Sequence, residues 1–289
     1  MDKKAIKISF KQNVLAKIGL YNKLFVYWWT PQRADGLENY GDIITPYIIS
    51  KLTRKKIFHV FDPMIEKFSV YYNHYFVIGS VIRFVNSKSI VWGSGIIKSD
   101  DVIDKCKIIA VRGPRTGKRL EELGIKDPKI YGDPAILMSK VYREIRCKTY
   151  SLGIIPHYVD YEVIYNKFKD IPGVIVIDLM TNDVEKTTQE IFNCEKIISS
   201  SLHGVIVSHS YEIPSLWIKF SDKLYGDDIK FYDYFESIGI EYSSVLELAE
   251  NELNLDILNE FFVTYENRLL PDLKLFNERK KKLLKSCPF

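Results

Sequence analysis

The chain's 289 residues are 46% hydrophobic and 27% charged, the balance of a soluble globular protein long enough for two domains. A net charge of +4 and a pI near 8.6 are too mild for a nucleic-acid binder; they suit a small anionic substrate or a weak pull toward an anionic membrane surface. Cys106, Cys147, Cys194 and Cys287 are scattered without C-x-x-C spacing, which suggests neither a zinc site nor a disulfide framework and favours a reducing cytoplasm.

From the amino end, Met1-Asp2-Lys3-Lys4 opens onto no apolar run long enough for a signal peptide. Leu24–Trp29 reads as a strand, far short of the ~20 residues a membrane helix needs. Asp42–Leu52 reads as a helix with Asp42 placed to cap it. Strands are expected at Tyr75–Ile78, ending at Gly79-Ser80, and at Ser89–Trp92, ending at Gly93-Ser94-Gly95. Another is expected at Lys107–Val111, before a helix that Pro114 can open and Gly124 can close. Ile130-Tyr131 then runs into Gly132-Asp133-Pro134.

After a hydrophilic stretch the rhythm restarts, with strands at Leu152–Ile155, Val174–Ile177, Lys196–Ser199 and Leu216–Phe220. Helices fall between them at Tyr161–Lys169, Val184–Asn193 and Leu202–Tyr211, and the tail Asp256–Lys285 is helical. This alternation argues for an α/β protein with parallel sheets, in two domains joined near residue 145 and facing each other across a cleft. The aromatic share of 13% is read first as core and second as ring surfaces on which sugars can stack. Arg279-Lys280-Lys281-Lys282 is read as a solvated helix end, with a membrane-surface contact as the second reading.

The candidate chemistry gathers just after strands, where an open parallel sheet binds its ligands. Ser199-Ser200-Ser201-Leu202-His203-Gly204 joins a buried strand to a helix whose first N–H groups can meet an anion. His157 holds the same place after its own strand, whereas His59 and His209 sit inside regular patterns and are expected to pack. Arg112 and Arg115 lie at a helix start, where the dipole disfavours cations unless an anion is present. Asp133 reads as a turn former or as a carboxylate that orients a base, and Asn39-Tyr40-Gly41-Asp42 as a capped helix start or a hydroxyl-binding loop. No P-loop, full G-x-G-x-x-G or metal-ligand spacing is present. Spacing alone describes an anion-handling α/β enzyme.

Together these segments resemble the polysaccharide pyruvyl transferase family. The resemblance rests on Tyr27-Trp28-Trp29 with Asn39-Tyr40-Gly41-Asp42, Trp92-Gly93-Ser94-Gly95, Arg112-Gly113-Pro114-Arg115-Thr116, Gly132-Asp133-Pro134-Ala135, Ile155-Pro156-His157-Tyr158 and Ser199–Gly204, in that order. It implies two Rossmann-like domains in a GT-B-like arrangement: residues 1–145 on the acceptor side, 146–250 on the donor side, and a helical tail over 251–289. It further implies transfer of a carboxyethylidene group from phosphoenolpyruvate to two hydroxyls of one sugar of a bacterial surface polysaccharide or its precursor. That step forms a cyclic ketal, releases phosphate, and needs no metal or organic cofactor.

The implied catalytic residues are His203, His157 and Asp133. His203 would be the general acid or main donor contact, and His157 or Asp133 would receive the proton of the attacking hydroxyl. Arg112, Arg115, Ser200, Ser201, Leu202 and Gly204 would bind the donor; Trp29, Asn39, Asp42, Gly93 and Ser94 would bind the acceptor, with the loops Thr30–Glu38 and Ser221–Asp228 shaping its site. Some relatives carry an arginine directly before the Leu-His pair, where this chain has Ser201. The serine hydroxyl and backbone N–H groups, or the charge of Arg115 or Lys219, would take its place. The acceptor can be lipid-linked, and the setting is cytoplasmic with at most peripheral contact to the inner membrane face. Two further readings stay open: a GT-B glycosyltransferase using a nucleotide sugar, with Glu212 as a ribose ligand, and a non-catalytic sugar-binding protein of a biosynthetic complex.

Overall fold

In the computed structural model, which describes residues 22–30, 35–60, 72–242, 244–248 and 252–289, the short apolar runs become two parallel sheets of five strands each. Met1–Lys4 and residues 31–34 of the expected acceptor loop lie outside the described residues. The first part of the chain supplies β1 (Lys23–Tyr27), β2 (Glu38–Asn39), α1 (Tyr40–Leu52), β3 (Lys56–His59), β4 (His74–Phe76), β5 (Ser89–Trp92), β6 (Lys107–Ala110), α2 (Pro114–Glu122) and the short α3 (Met138–Val141). The second supplies β7 (Leu152–Ile155), α4 (Tyr161–Phe168), β8 (Val174–Val176), β9 (Met180–Thr181), α5 (Val184–Phe192), β10 (Ile197–Ser199), α6 (Leu202–Ser210), β11 (Ser215–Lys219), α7 (Ile229–Ser237) and β12 (Leu246–Glu247). α8 (Leu255–Thr264) and α9 (Leu273–Ser286) follow.

The strand order is β3-β1-β4-β5-β6 in one sheet and β12-β11-β10-β7-β8 in the other, with every neighbouring pair parallel. The two windings are the same. Each chain segment steps outward once, returns past its first strand, and then builds in the opposite direction. The reversals fall between β1 and β4 and between β7 and β10, the positions at which doubly wound, Rossmann-like sheets open a crevice at their carboxyl ends. Because β1 stops at Tyr27, Trp28 and Trp29 run on past the sheet edge.

The two sheets share one core. Trp92 and Ala135–Met138 pack with Val205, Ile206, Tyr234, Phe276 and Leu283 in a single buried cluster. A two-residue antiparallel pair, Glu38 with Thr181 and Asn39 with Met180, stitches the parts; Tyr40 N donates to Leu179 O at 2.7 Å, and the buried Tyr40 and Thr188 hydroxyls share a 2.7 Å hydrogen bond. α1 therefore packs on α5 and α6. Its cap corrects the sequence reading: extended Asn39, not Asp42, accepts from Gly41 N at 2.8 Å, so the Asp42 carboxylate is released from capping.

α7, absent from the sequence reading, fastens the second part to the first. Asp233 on α7 accepts from Arg112 Nε at 3.0 Å, from Thr116 N at 2.9 Å and from Thr116 Oγ1 at 2.7 Å. It thereby caps α2, whose own N-cap, Gly113, has no side chain to do so. The expected single tail helix is instead two helices flanking Pro271, capped by Asn254 and Asp272. Its basic run is partly structural: Arg279 Nε donates to Ser237 O at 2.9 Å, and buried Lys280 donates to Ser210 O at 3.2 Å. His209 is buried between the Tyr234 hydroxyl and Leu269 O. Among the described residues no helix is long and apolar enough to cross a membrane.

Arg112 and Asp233 are both fully buried, so removing one partner strands a charge at a cost of about 3–5 kcal/mol. Asp233→Ala should lower unfolding free energy by that order in denaturant titrations, whereas Glu236→Ala, in the exposed Arg115 pair, should change it by less than about 1 kcal/mol.

Candidate active site

Both reversals open into one pocket of about 550 Å³. Trp29 follows β1, Gly79, Ser80 and Val81 follow β4, His157 and Tyr158 follow β7, and Ser201, Leu202 and His203 follow β10; all line it. Asn39 and Asp42 enter from the start of α1, Lys230 from α7, and Arg83, Phe84, Lys223 and Tyr225 from the rim. This size holds a small anion together with a sugar.

The serine run builds the wall at β10–α6. Ser199 Oγ accepts from Ser201 N at 2.9 Å, and Ser200 N donates to Ile155 O at 3.0 Å. Ser200 Oγ accepts from His157 N at 2.8 Å, locking the two post-strand loops together. Ser201 is the N-cap of α6 but makes no side-chain cap bond. The helix's first N–H groups are thus left for an anion. An added Cβ on Gly204 would press on Ser199 Oγ and Ile155, so this turn requires glycine there.

His203 projects from the first turn of α6 with its Nε2 at 3.8 Å from Asp133 Oδ2. Among the described residues neither atom has a hydrogen-bond partner. Burial, with the charges of Arg112 and Lys230 adding to it, pushes His203 down to about 3, so the ring is neutral. Asp133 caps the 3-10 turn Pro134–Leu137, its Oδ1 accepting from Ala135 N at 2.9 Å. Burial raises it to about 7 against the pull of the Ala135 N–H and Arg112. His157 falls to about 4 through burial and then Lys230, and its Nδ1 is buried without a partner.

At the start of α1, burial and then Glu38 raise Asp42 to about 8, with Lys230 opposing. Trp29 stands 47% exposed and stacks on Phe84, ring centres 5.8 Å apart at 17°. The Arg83 guanidinium lies 4.7 Å over the other ring contact, Phe84, and donates to the Tyr225 hydroxyl at 3.2 Å. One end of the pocket is thus a flat aromatic platform and the other an imidazole–carboxyl pair beside an open helix start.

The family model described as polysaccharide pyruvyl transferase matches residues 14–222, more than half of the chain. The chain belongs to the polysaccharide pyruvyl transferase family. It is also similar to Uncharacterized protein L143 of Acanthamoeba polyphaga mimivirus, 34% identical over 238 residues, which cover 77% of this chain and 80% of that relative. The family is one of transferase enzymes, and membership supports pyruvyl transfer to a polysaccharide, with a saccharide as acceptor.

In this pyruvyl transferase the structure brings Trp29, Asn39, Asp42, His157, Ser201, Leu202 and His203 to the pocket wall. Asp133, Ser200 and Gly204 stand directly behind it, against His203 or the serine turn. The two arginines read as donor clamps lie elsewhere. Arg112 is fully buried, held by Asp233, by Ser80 Oγ at 2.7 Å and by Ile96 O at 2.6 Å, in a space that only a glycine at position 95 leaves open. It touches the pocket only through Ser80. Arg115 pairs with Glu236 at 2.6 Å on the surface, and Lys219 pairs with Asp228 at 3.1 Å.

Gly93 and Ser94 are likewise set back from the pocket. Gly93 adopts φ 106° against Pro134, and Ser94 Oγ donates to Gly79 O at 2.9 Å, fixing the turn that presents Ser80. Sequence reasoning did not single out Ser80, Arg83 or Lys230, for which the Gly79-Ser80 strand ending was the one signal; Lys223 and Tyr225 belong to the loop Ser221–Asp228 expected to shape the acceptor site. Among the described residues no cluster of three or more His, Cys, Asp or Glu could hold a metal ion.

Two outcomes test this geometry. The His203 ring lies against Gly41, where an added Cβ would overlap it. Gly41→Ala should therefore keep the fold by circular dichroism while lowering turnover about 10²-fold, the scale of a 1 Å misplacement; unchanged turnover contradicts the packing. The second concerns pH. A carboxyl raised by burial binds its proton more tightly folded than unfolded, so stability is full below the ordinary value of 3.8 and declines as pH rises toward about 8 for Asp42. Asp42→Asn should raise the melting temperature at pH 8, by about 2–4 °C per kcal/mol recovered, with little change at pH 4; an equal shift at both would contradict the assignment.

Proposed function

We propose that the protein transfers a carboxyethylidene group from phosphoenolpyruvate to two hydroxyls of one sugar, forming a cyclic ketal and releasing phosphate. The observation that carries this reading is the buried, unpartnered pair His203 Nε2 and Asp133 Oδ2, beside the uncapped start of α6. Such a pair can hold one proton next to a bound anion. We read the molecule as a GT-B-like arrangement with the pocket as its interdomain cleft. Residues 1–145 serve the acceptor, 146–250 the donor, and 251–289 form a tail.

The donor's carboxylate and phosphate meet the open N–H groups of α6. Their negative charge offsets Arg112 and Lys230, the two cations that help hold His203 deprotonated, and so draws a proton onto its ring, with Asp133 as the adjacent store. His203 delivers that proton to the methylene carbon as the first sugar hydroxyl adds to C2. The second hydroxyl then attacks C2 and the C2–O bond to phosphate breaks. Of the two hydroxyl protons, one replaces that given to carbon and the other leaves with phosphate. His157, unprotonated at neutral pH, is the group placed to receive a hydroxyl proton, while Asp42, which burial keeps protonated, can donate a hydrogen bond to the acceptor. The Trp29–Phe84 platform supports an acceptor sugar by stacking. This chemistry calls for no cofactor, and we read the protein as cytoplasmic with peripheral membrane contact at most.

The glycosyltransferase reading has less support. Its ribose-binding candidate, Glu212, is an exposed turn residue at φ 59° and is not among the pocket residues. Calorimetric titration should give saturable binding of phosphoenolpyruvate and none of UDP or GDP sugars; the reverse result replaces this proposal. His203→Gln should keep the melting temperature and abolish phosphate release, and near-normal turnover in that variant overturns the catalytic assignment.

A further inference from the structure

Lys230 reaches the pocket from the first turn of α7 and is half-buried there. Among the described residues its ammonium has no hydrogen bond or ion pair and lies 5.3 Å from the centre of the Phe231 ring. An ammonium that lines a pocket with no side chain or carbonyl bonded to it is available to a ligand there. The three cations that the sequence nominated for the donor are each committed elsewhere: Arg112 to Asp233, Arg115 to Glu236, and Lys219 to Asp228. Ser201, the N-cap of α6, brings no charge to the start of the helix.

We propose that the Lys230 ammonium binds the anionic oxygens of the donor and holds it against the start of α6. This rests on the phosphoenolpyruvate reading above. The placement is consistent with the electrostatics of its neighbours, since Lys230 is a cause of the lowered values of both His157 and His203 and opposes the raising of Asp42. Burial, then Arg112, in turn brings Lys230 down to about 8 against the attraction of Asp228 and Asp42. An anion between the ammonium and the helix start would relieve all of these at once. The rival role is structural, with Lys230 serving only to balance the Asp42 charge.

The test is calorimetric titration of phosphoenolpyruvate into the wild type, Lys230→Gln, Lys230→Arg and the double variant Lys230→Gln/Asp42→Asn. Loss of one charge-assisted contact should weaken Lys230→Gln about tenfold or more, with Lys230→Arg retaining most of the affinity. The melting temperature of Lys230→Gln should stay level or rise, because no hydrogen bond or ion pair among the described residues is lost with the ammonium. Wild-type affinity in Lys230→Gln overturns the proposal, and so does recovery of affinity in the double variant, which would mark Lys230 as a counter-charge to Asp42. If the wild type itself fails to bind phosphoenolpyruvate, the donor reading fails, and inorganic phosphate becomes the probe for Lys230. Phosphate binding lost in Lys230→Gln then upholds an anion site, and equal binding rejects it.

Discussion

A parallel sheet can bury both faces under helices, but it cannot cover the strand ends where its winding reverses. In this chain the reversal occurs twice, between β1 and β4 and between β7 and β10, and both openings share one pocket. The remaining features follow from that constraint. Residues that leave a strand at these points cannot pair within the sheet, so their side chains are free to face a ligand. Trp29 and Ser80 come from one sheet, His157 and Ser201 from the other. The Glu38–Asn39 pairing with Met180–Thr181 and the Asp233 clasp on Arg112 keep the two openings in register.

Desolvation sets the chemical state of this pocket. The same low-dielectric surroundings hold the imidazoles neutral and keep the carboxyls at values where they still carry protons near neutral pH. The pocket wall therefore carries little negative charge and some positive charge from Lys230, Arg83 and Lys223. Arg112 adds a fixed positive field from behind Ser80. Each of its three guanidinium nitrogens donates one hydrogen bond, to Asp233, Ser80 and Ile96, so it shapes the potential and the turn together.

Much of this was legible in the sequence because period and turn chemistry are local. The strands before Gly79, Gly93, His157 and Ser199 are continuous apolar runs with abrupt polar ends, and the structure has them within one or two residues. α7 was not legible. Ile229-Lys230-Phe231-Tyr232-Asp233-Tyr234-Phe235 is rich in aromatics of modest helix preference and gains its helicity from packing on α2. β2 and β9 are two residues each and have no pattern to detect. The fate of Arg112 depended on Asp233, a partner 121 positions away, and a helix start followed by two arginines looks the same whether the cation meets a ligand or an internal carboxylate. Asp42 looked like a cap because it opens an apolar helix, yet Asn39 lay one turn earlier with the better geometry.

The last helix does more than close the chain. Trp92, at the end of a central strand of the first sheet, donates its indole N–H to Leu283 O, 191 positions later, and rests edge-on against Phe289. The amino-terminal sheet therefore lacks part of its wall until residues 283–289 have been made. During synthesis the first half must wait with an indole and its surroundings uncovered, so it reaches its final packing only after residues 283–289 have emerged. Such late closure over long sequence distances makes for slow folding and for an aggregation-exposed intermediate, the species that a chaperone would meet on the ribosome.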